Sequence, residues 1–302
     1  FSSNNPENFL FPFMEGVIAN LKTLGKIRTS ETYAATLCSF RRFREDKDVP
    51  LDDMDSDMMM AYEAYLKNNG VSPNSSSFYM RNLRAVYNRA VEKGLTSQRF
   101  PFKHVYTGVE KTVKRAVPLK VIKRIKEMDF SMNPSFDFAR DMFLMSFYTR
   151  GMSFVDMAYL RKKDLQNGVL SYRRRKTGQQ LFIKWEKCMQ EIVDKYDTSQ
   201  SNYLLPIIKP FGDIDERTQY IYAAHNINRC LKIIGKELGL SVSLTLYVAR
   251  HAWASIAKSK NVPLSVISEG MGHDSEATTR IYLASLDTVA IDKANSMILK
   301  SL

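Results

Sequence analysis

Apolar side chains recur every three or four residues through most of this chain, the spacing of helices with one buried face. In the first hundred residues, Tyr33, Leu37 and Phe40 share a face of a helix that Ser30 can cap. Met59, Tyr62 and Leu66 form the stripe of a second helix, over 56–67, which Gly70 ends. Ser72-Pro73 opens a third, since proline suits the first helical turn, and Gly94 stops it. Its inward positions are Tyr79, Leu83, Val86 and Ala90, while Arg81, Arg84 and Asn88 lie on another face. With a helix over 6–24, these predict a four-helix domain. Residues 101–117 read as a connector, with Pro101, Gly108 and the basic run Lys111, Lys114 and Arg115. That run reads equally as phosphate contacts or as solvated charge.

The second half predicts helices over 118–128, 134–148, 186–196, 217–238, 245–258, 263–271, 275–283 and 286–299. The period changes once. Residues 168–173 and 180–185 read as two short strands around Lys176-Thr177-Gly178, the signal of a hairpin. The class is therefore mainly α: a helical first domain over 1–105, a basic linker over 106–117, and a mostly α second domain with one small β-hairpin over 118–302. Met54 and Met58–Met60 read as core filler.

Charge changes the picture. Lys and Arg number 44 against 32 Asp and Glu, a net +12. Residues 1–115 carry 17 basic and 13 acidic residues, and 116–302 carry 27 and 19, so both halves are basic. A polyanion lying across both halves fits this, and nucleic acid is the commonest one. Cys38, Cys188 and Cys230 are far apart and in no ligand spacing, so neither a disulfide framework nor a zinc site is expected. No apolar run is long enough to span a bilayer, and a cytoplasmic, reduced setting is expected.

The candidate chemistry gathers near the C-terminus: Arg250, then Met271-Gly272-His273, then Tyr282. A phosphodiester can be cut without a metal by such a set. A guanidinium grips two phosphate oxygens and stays charged. A lysine or histidine can protonate the leaving 5′ oxygen. A phenol oxygen can form a phosphoester that keeps the bond energy, so the break can be resealed without a nucleotide. Lys176, in the run Arg173-Arg174-Arg175-Lys176, supplies a cation on the hairpin. The bland reading of this run is a DNA-facing surface. His251 reads as structural, and His104 and His225 receive no role.

Taken together, Lys176, Arg250, His273 and Tyr282 in this order, with nine residues from His273 to Tyr282, resemble the tyrosine recombinase (phage integrase) family. The pattern is similar to that of integrases and DNA invertases of mobile elements in gut anaerobic bacteria. The resemblance covers essentially the whole chain, and its first domain resembles the family's SAM-like core-binding domain. It implies a site-specific recombinase with Tyr282 as nucleophile and with Arg250, His273 and Lys176 catalytic, needing no metal or other cofactor. It also implies double-stranded DNA as partner, gripped by two domains like a clamp, and a tetramer assembled through the C-terminal helix. An accessory DNA-bending protein and a nucleoid location go with that reading. DNA contacts are expected from Arg81, Arg84, Lys111, Lys114, Arg115, Arg173, Arg174 and Arg175.

Two departures stand out. The family's His-x-x-Arg box is Tyr247-Val248-Ala249-Arg250 here, and Tyr247 can donate a hydrogen bond but cannot act as an imidazole. The family's first arginine is replaced by Ser153, three residues before Asp156, which is expected to support a catalytic arginine. A nearby guanidinium is expected to substitute, Arg150 first and Arg140 second. The competing functions are a type IB topoisomerase, which reseals the same strand, and a noncatalytic DNA-binding protein on the same fold.

Overall fold

A computed structural model of the chain describes residues 8–110, 116–209, 213–283 and 296–299. The chain forms two compact units, Phe1–Thr112 and Val113–Leu302.

The first unit holds α1 (Leu10–Thr23), α2 (Ile27–Phe43), α3 (Ser56–Asn68) and α4 (Pro73–Glu92). The predicted starts hold for α3, where the Asp55 side chain accepts from Met58 N at 2.8 Å, and for α4, capped by Ser72 with Pro73 at the first position. Ser30 is not a cap. The chain turns helical earlier, after Lys26, so Ser30 is buried inside α2 and its hydroxyl donates to the Ile27 carbonyl at 2.7 Å. The core is built from Leu10, Met14, Phe40, Met59, Tyr62, Leu66, Met80, Leu83 and Val86. Tyr62 keeps its hydroxyl satisfied there by donating to Ser39 at 2.7 Å. Tyr79, expected inward, is half-buried; Met80 and Tyr87 take the interior positions. Phe102 and Val105, inside the expected connector, pack into this core.

The second unit is organised around α6 (Pro134–Tyr148), whose Ala139, Met142, Phe143 and Met145 are fully buried. It packs against α9 (Glu216–Glu237) and α10 (Leu246–Ser259), with α5 (Leu119–Glu127) and α8 (Lys187–Asp194) beside it. Three short elements are not predicted by the sequence: α7 (Phe154–Ala158), a 3-10 turn over Lys162–Asp164 and β1 (Leu165–Gln166). β1 joins β2 (Val169–Arg173) and β3 (Gln180–Lys184) in an antiparallel sheet of order β1-β2-β3. Leu170 pairs with Ile183 and Tyr172 with Leu181, and these four bury one face. Helices α11 (Leu264–Gly270) and α12 (Glu276–Leu283) follow. Most of the expected helix over 286–299 lies outside the described residues, of which 296–299 are helical. Among the described residues no helix is long and apolar enough to cross a membrane.

Candidate functional site

Helix α10 buries Leu246, Val248, Ala249 and Ala252, and Arg250 goes in with them, only 5% exposed. A buried guanidinium needs acceptors. Arg250 Nη1 donates to the Gly151 carbonyl and Nη2 to the Met271 carbonyl, each at 2.7 Å. Its Nη2 also lies 3.0 Å from His273 Nε2. Gly151 makes this seat possible. Its φ is +74°, and a Cβ there would stand 2.7 Å from Arg250 Cα and 2.8 Å from its Cγ. Gly151→Ala is therefore expected to destabilise the protein by about 3 kcal/mol, from left-handed strain plus overpacking. Urea unfolding measures it, and a midpoint equal to wild type would mean that the backbone yields without cost.

His273 follows Gly272 in a turn after α11. A guanidinium has no acceptor, so Nε2 must accept from Arg250 and the ring proton sits on Nδ1. That nitrogen faces Thr279 Oγ1 at 2.6 Å, which ties the imidazole to α12. Burial, followed by the charges of Arg250, Arg174 and Lys176, pushes the His273 pKa down to about 4. The imidazole is thus neutral at pH 7. Between about 4 and the ordinary 6.5 the unfolded chain binds a proton that the folded chain refuses. Stability is then lost as pH falls through this window. Across it, wild type should lose stability more steeply than His273→Asn in urea titrations; equal slopes would contradict the depressed pKa.

The hairpin brings the next charge. Its turn is closed by Arg174 N to the Gln179 carbonyl and by Gly178 N to the Arg174 carbonyl, both 2.8 Å. Arg174 was expected on a DNA-facing surface with Arg173 and Arg175. Instead it is 7% exposed, and its Nη1 donates to the Gly272 carbonyl. The period-two alternation of β2 accounts for this: Leu170, Tyr172 and Arg174 point inward in succession. Arg173 stays exposed, with its guanidinium on the Gly178 carbonyl at 2.6 Å. The Arg175 guanidinium lies 3.9 Å over the Tyr159 ring. Lys176 is exposed in the turn, near enough to His273 to depress its pKa.

Ser153, in the slot of the missing arginine, caps α7. Its Oγ donates to Asp156 Oδ2 at 2.6 Å and accepts from Asp156 N. The other oxygen of the buried Asp156 carboxylate accepts Arg175 N at 2.9 Å, linking α7 to the hairpin turn. Arg150 precedes Gly151 with φ +61°, and its half-buried side chain runs beside Gly270. Its guanidinium takes no hydrogen bond or ion pair among the described residues. Arg140 does not join the cluster. It is held by Asp137 at 2.5 Å, by Asp141 at 2.8 Å and by the Met128 carbonyl, in a network with Lys195 and Tyr196 that fastens α6 to the end of α8. Tyr247 is 59% exposed, one turn before Arg250, with its ring edge-on to His251 at 4.6 Å.

Tyr282 lies in α12, three residues after Thr279, but its side chain falls outside the described residues. Lys111, Lys114 and Arg115 fall outside them as well. In the first unit, Arg84 is exposed and donates to Thr107 Oγ1 at 3.3 Å, and Arg81 Nε reaches the Ser77 carbonyl at 3.4 Å.

Residues 9–105 match the phage integrase SAM-like domain, and residues 118–288 match the phage integrase family. The fold is similar to that of a lambda integrase tetramer bound to a Holliday junction, with TM-score 0.69 and 17% identity over 93% of this chain and 78% of that one. It is similar to the Tn1549 transposon integrase in complex with transposon right end DNA, with TM-score 0.63 and 15% identity over 93% of this chain and 99% of that one. A third relative in fold is the XerH site-specific recombinase bound to a palindromic difH substrate, with TM-score 0.65 and 16% identity over 95% and 84%. No curated protein matches the chain significantly in sequence.

Proposed function

The chain belongs to the phage integrase family of tyrosine site-specific recombinases, and on that premise we propose that it cleaves and rejoins DNA through a 3′-phosphotyrosyl intermediate. The observation that carries the reading is the knot of Arg250, His273 and Arg174 around the Met271-Gly272 backbone, joined through Thr279 to the helix of Tyr282. Two guanidiniums and a neutral imidazole form a seat for the nonbridging oxygens of a phosphodiester. Arg174 takes the place of the arginine that Ser153 lacks, and Arg150 lies beside the seat as a further cation.

In the step proposed, the Tyr282 hydroxyl gives its proton to solvent and its oxygen bonds to phosphorus while the bond to the 5′ oxygen breaks. Lys176, at the hairpin turn, gives that oxygen its proton. A 5′ hydroxyl from a partner duplex then displaces the tyrosine, returning its proton to Lys176 while the Tyr282 oxygen takes one back from solvent. One phosphoester is exchanged for another, so the step calls for neither metal nor nucleotide. Tyr247, exposed beside Arg250, donates a hydrogen bond to the same phosphate. Arg173 and Arg175 on the hairpin, and Arg81 and Arg84 on α4, serve the DNA backbone, with Lys111, Lys114 and Arg115 of the linker. Asp156 positions the hairpin. The lambda relative is a tetramer on a Holliday junction; a tetramer on DNA, joined through the C-terminal helix, is the assembly proposed here. An accessory DNA-bending protein and a cytoplasmic, nucleoid location complete the proposal.

The test uses nicked duplexes made from the DNA flanking the gene, in which the cut strand cannot religate. A protein–DNA adduct that survives detergent, with the nucleotide mapped to the Tyr282 peptide, is the expected result. Normal DNA binding with no adduct on any duplex would support a noncatalytic DNA-binding protein. Supercoil relaxation with no strand exchange would support the topoisomerase reading.

A further inference from the structure

Six described residues other than glycine have positive φ: Glu45, Asp46, Phe100, Arg150, Asn167 and Asn261. Asparagine and aspartate tolerate this region, whereas a bulky aromatic there is an outlier. Phe100, at φ +52°, is also 66% exposed. The chain therefore accepts backbone strain and gives the ring to solvent, which neither folding nor packing rewards.

The conformation is held from several sides. Gln98 Oε1 accepts Phe100 N at 2.9 Å, and Gln98 Nε2 donates to Asn88 Oδ1 on α4 at 3.3 Å. The Tyr87 hydroxyl accepts Arg99 N at 3.3 Å and donates to the Ser97 carbonyl at 2.8 Å. Arg99 Nη1 donates to the Asp52 carbonyl at 2.8 Å. Lys103 N closes the following turn on the Phe100 carbonyl at 3.1 Å. Behind the ring the chain is anchored by the buried Phe102. A strained residue persists where its surroundings over-determine it, and such residues gather at working sites.

The surroundings state what the ring meets. Phe100 stands at a groove of about 540 Å³ whose rim carries Arg84, Asn88, Gln98 and Lys103, and no acid lines it. Two cations, two side-chain amides and an exposed apolar ring thus line one groove. That arrangement suits a nucleic acid duplex: phosphates for the cations, a base step for the ring. We propose that Phe100 is a wedge that enters a base step of duplex DNA bound to this face of the first unit, with Arg84 and Lys103 on nearby phosphates. The proposal rests on the DNA-acting reading above, and adds that the first unit deforms the DNA as well as holding it.

The test compares wild type with Phe100→Asn on a pool of short duplexes of random sequence. Bound duplexes are treated with permanganate, which oxidises thymines whose stacking is broken, and are then sequenced. Wild type should give reactive thymines at a fixed offset within the recovered sequences. Phe100→Asn should lower that reactivity about tenfold, with a smaller change in affinity. Its thermal midpoint should be no lower than wild type, because Asn accepts the left-handed backbone; a ring that merely packs on its own domain would lower the midpoint when removed. Equal reactivity in both proteins, no reactive thymine with wild type, or a change of oligomeric state alone would overturn the wedge. The nicked-duplex adduct, measured in parallel, separates this from the enzymatic reading: adduct without thymine reactivity leaves that reading standing, and loss of both DNA binding and adduct ends it together with the wedge.

Discussion

Tyr282→Phe is expected to lower covalent adduct formation by about 10⁵-fold or more, to below detection. The substitution keeps the ring in α12 and removes one oxygen, the atom proposed to bond to phosphorus. No charged group is lost, so affinity for DNA should stay within about threefold of wild type. The two readouts must therefore part company. Adduct formation is followed with the nicked duplex, and binding with an uncut duplex at the same ionic strength. An adduct that survives the substitution would move the nucleophile to another residue, and the peptide carrying the nucleotide would identify it.

The second large effect falls on Arg174. Replaced by alanine, it should slow single-turnover cleavage at saturating protein by about 10²–10³-fold, the usual cost of removing a preorganised donor to a developing charge. Arg174→Lys should recover only part of this, because an ammonium keeps the charge but loses the planar fork. Arg173→Ala is the control. It removes an exposed cation from the adjacent position, so it should weaken binding and reduce the salt dependence by about one phosphate contact while leaving the saturated rate intact. If both alanine variants behave alike, Arg174 is one more backbone contact and Arg150 becomes the substitute for the missing arginine. Part of the Arg174→Ala effect will be structural, since its guanidinium supplies a donor to the Gly272 carbonyl inside the cluster. Circular dichroism and the unfolding midpoint separate that part from the chemical step.

Much of this architecture is legible in the amino-acid sequence. The long periodic stretches behave as patterned: α3, α4 and α6 begin at Ser56, Pro73 and Pro134, the starts expected from the sequence. The hairpin lies between 169 and 184 as its alternation suggests. What escaped is short or long-range. Helix α7 has five residues, too few for a period to declare itself; its signal was Ser153 followed three residues later by Asp156, a local capping pattern that the missing arginine overshadowed. The seat of Arg250 depends on Gly151, ninety-nine residues earlier in the chain, and no local pattern reports such a distance. Arg174 is the instructive case. A run of four cations reads as surface by composition, yet the strand's own alternation carries the second of them inward behind Leu170 and Tyr172. Periodicity outweighs composition there because backbone geometry, not side-chain preference, decides which way a strand residue points. The acceptor on Gly272 then makes burial of the charge tolerable.

The Asp156 carboxylate, with one oxygen on the Ser153 hydroxyl and the other on the backbone of Arg175, defines the smallest portable part of this enzyme. A chimaera that imports another recombinase's hairpin by exchanging only 165–184 would arrive without its latch, and its turn would have to find a new resting place. Moving 153–184 as one cassette carries the turn and the group that sets its angle together, and it transplants the serine-capped solution whole rather than splicing it onto an arginine-bearing scaffold.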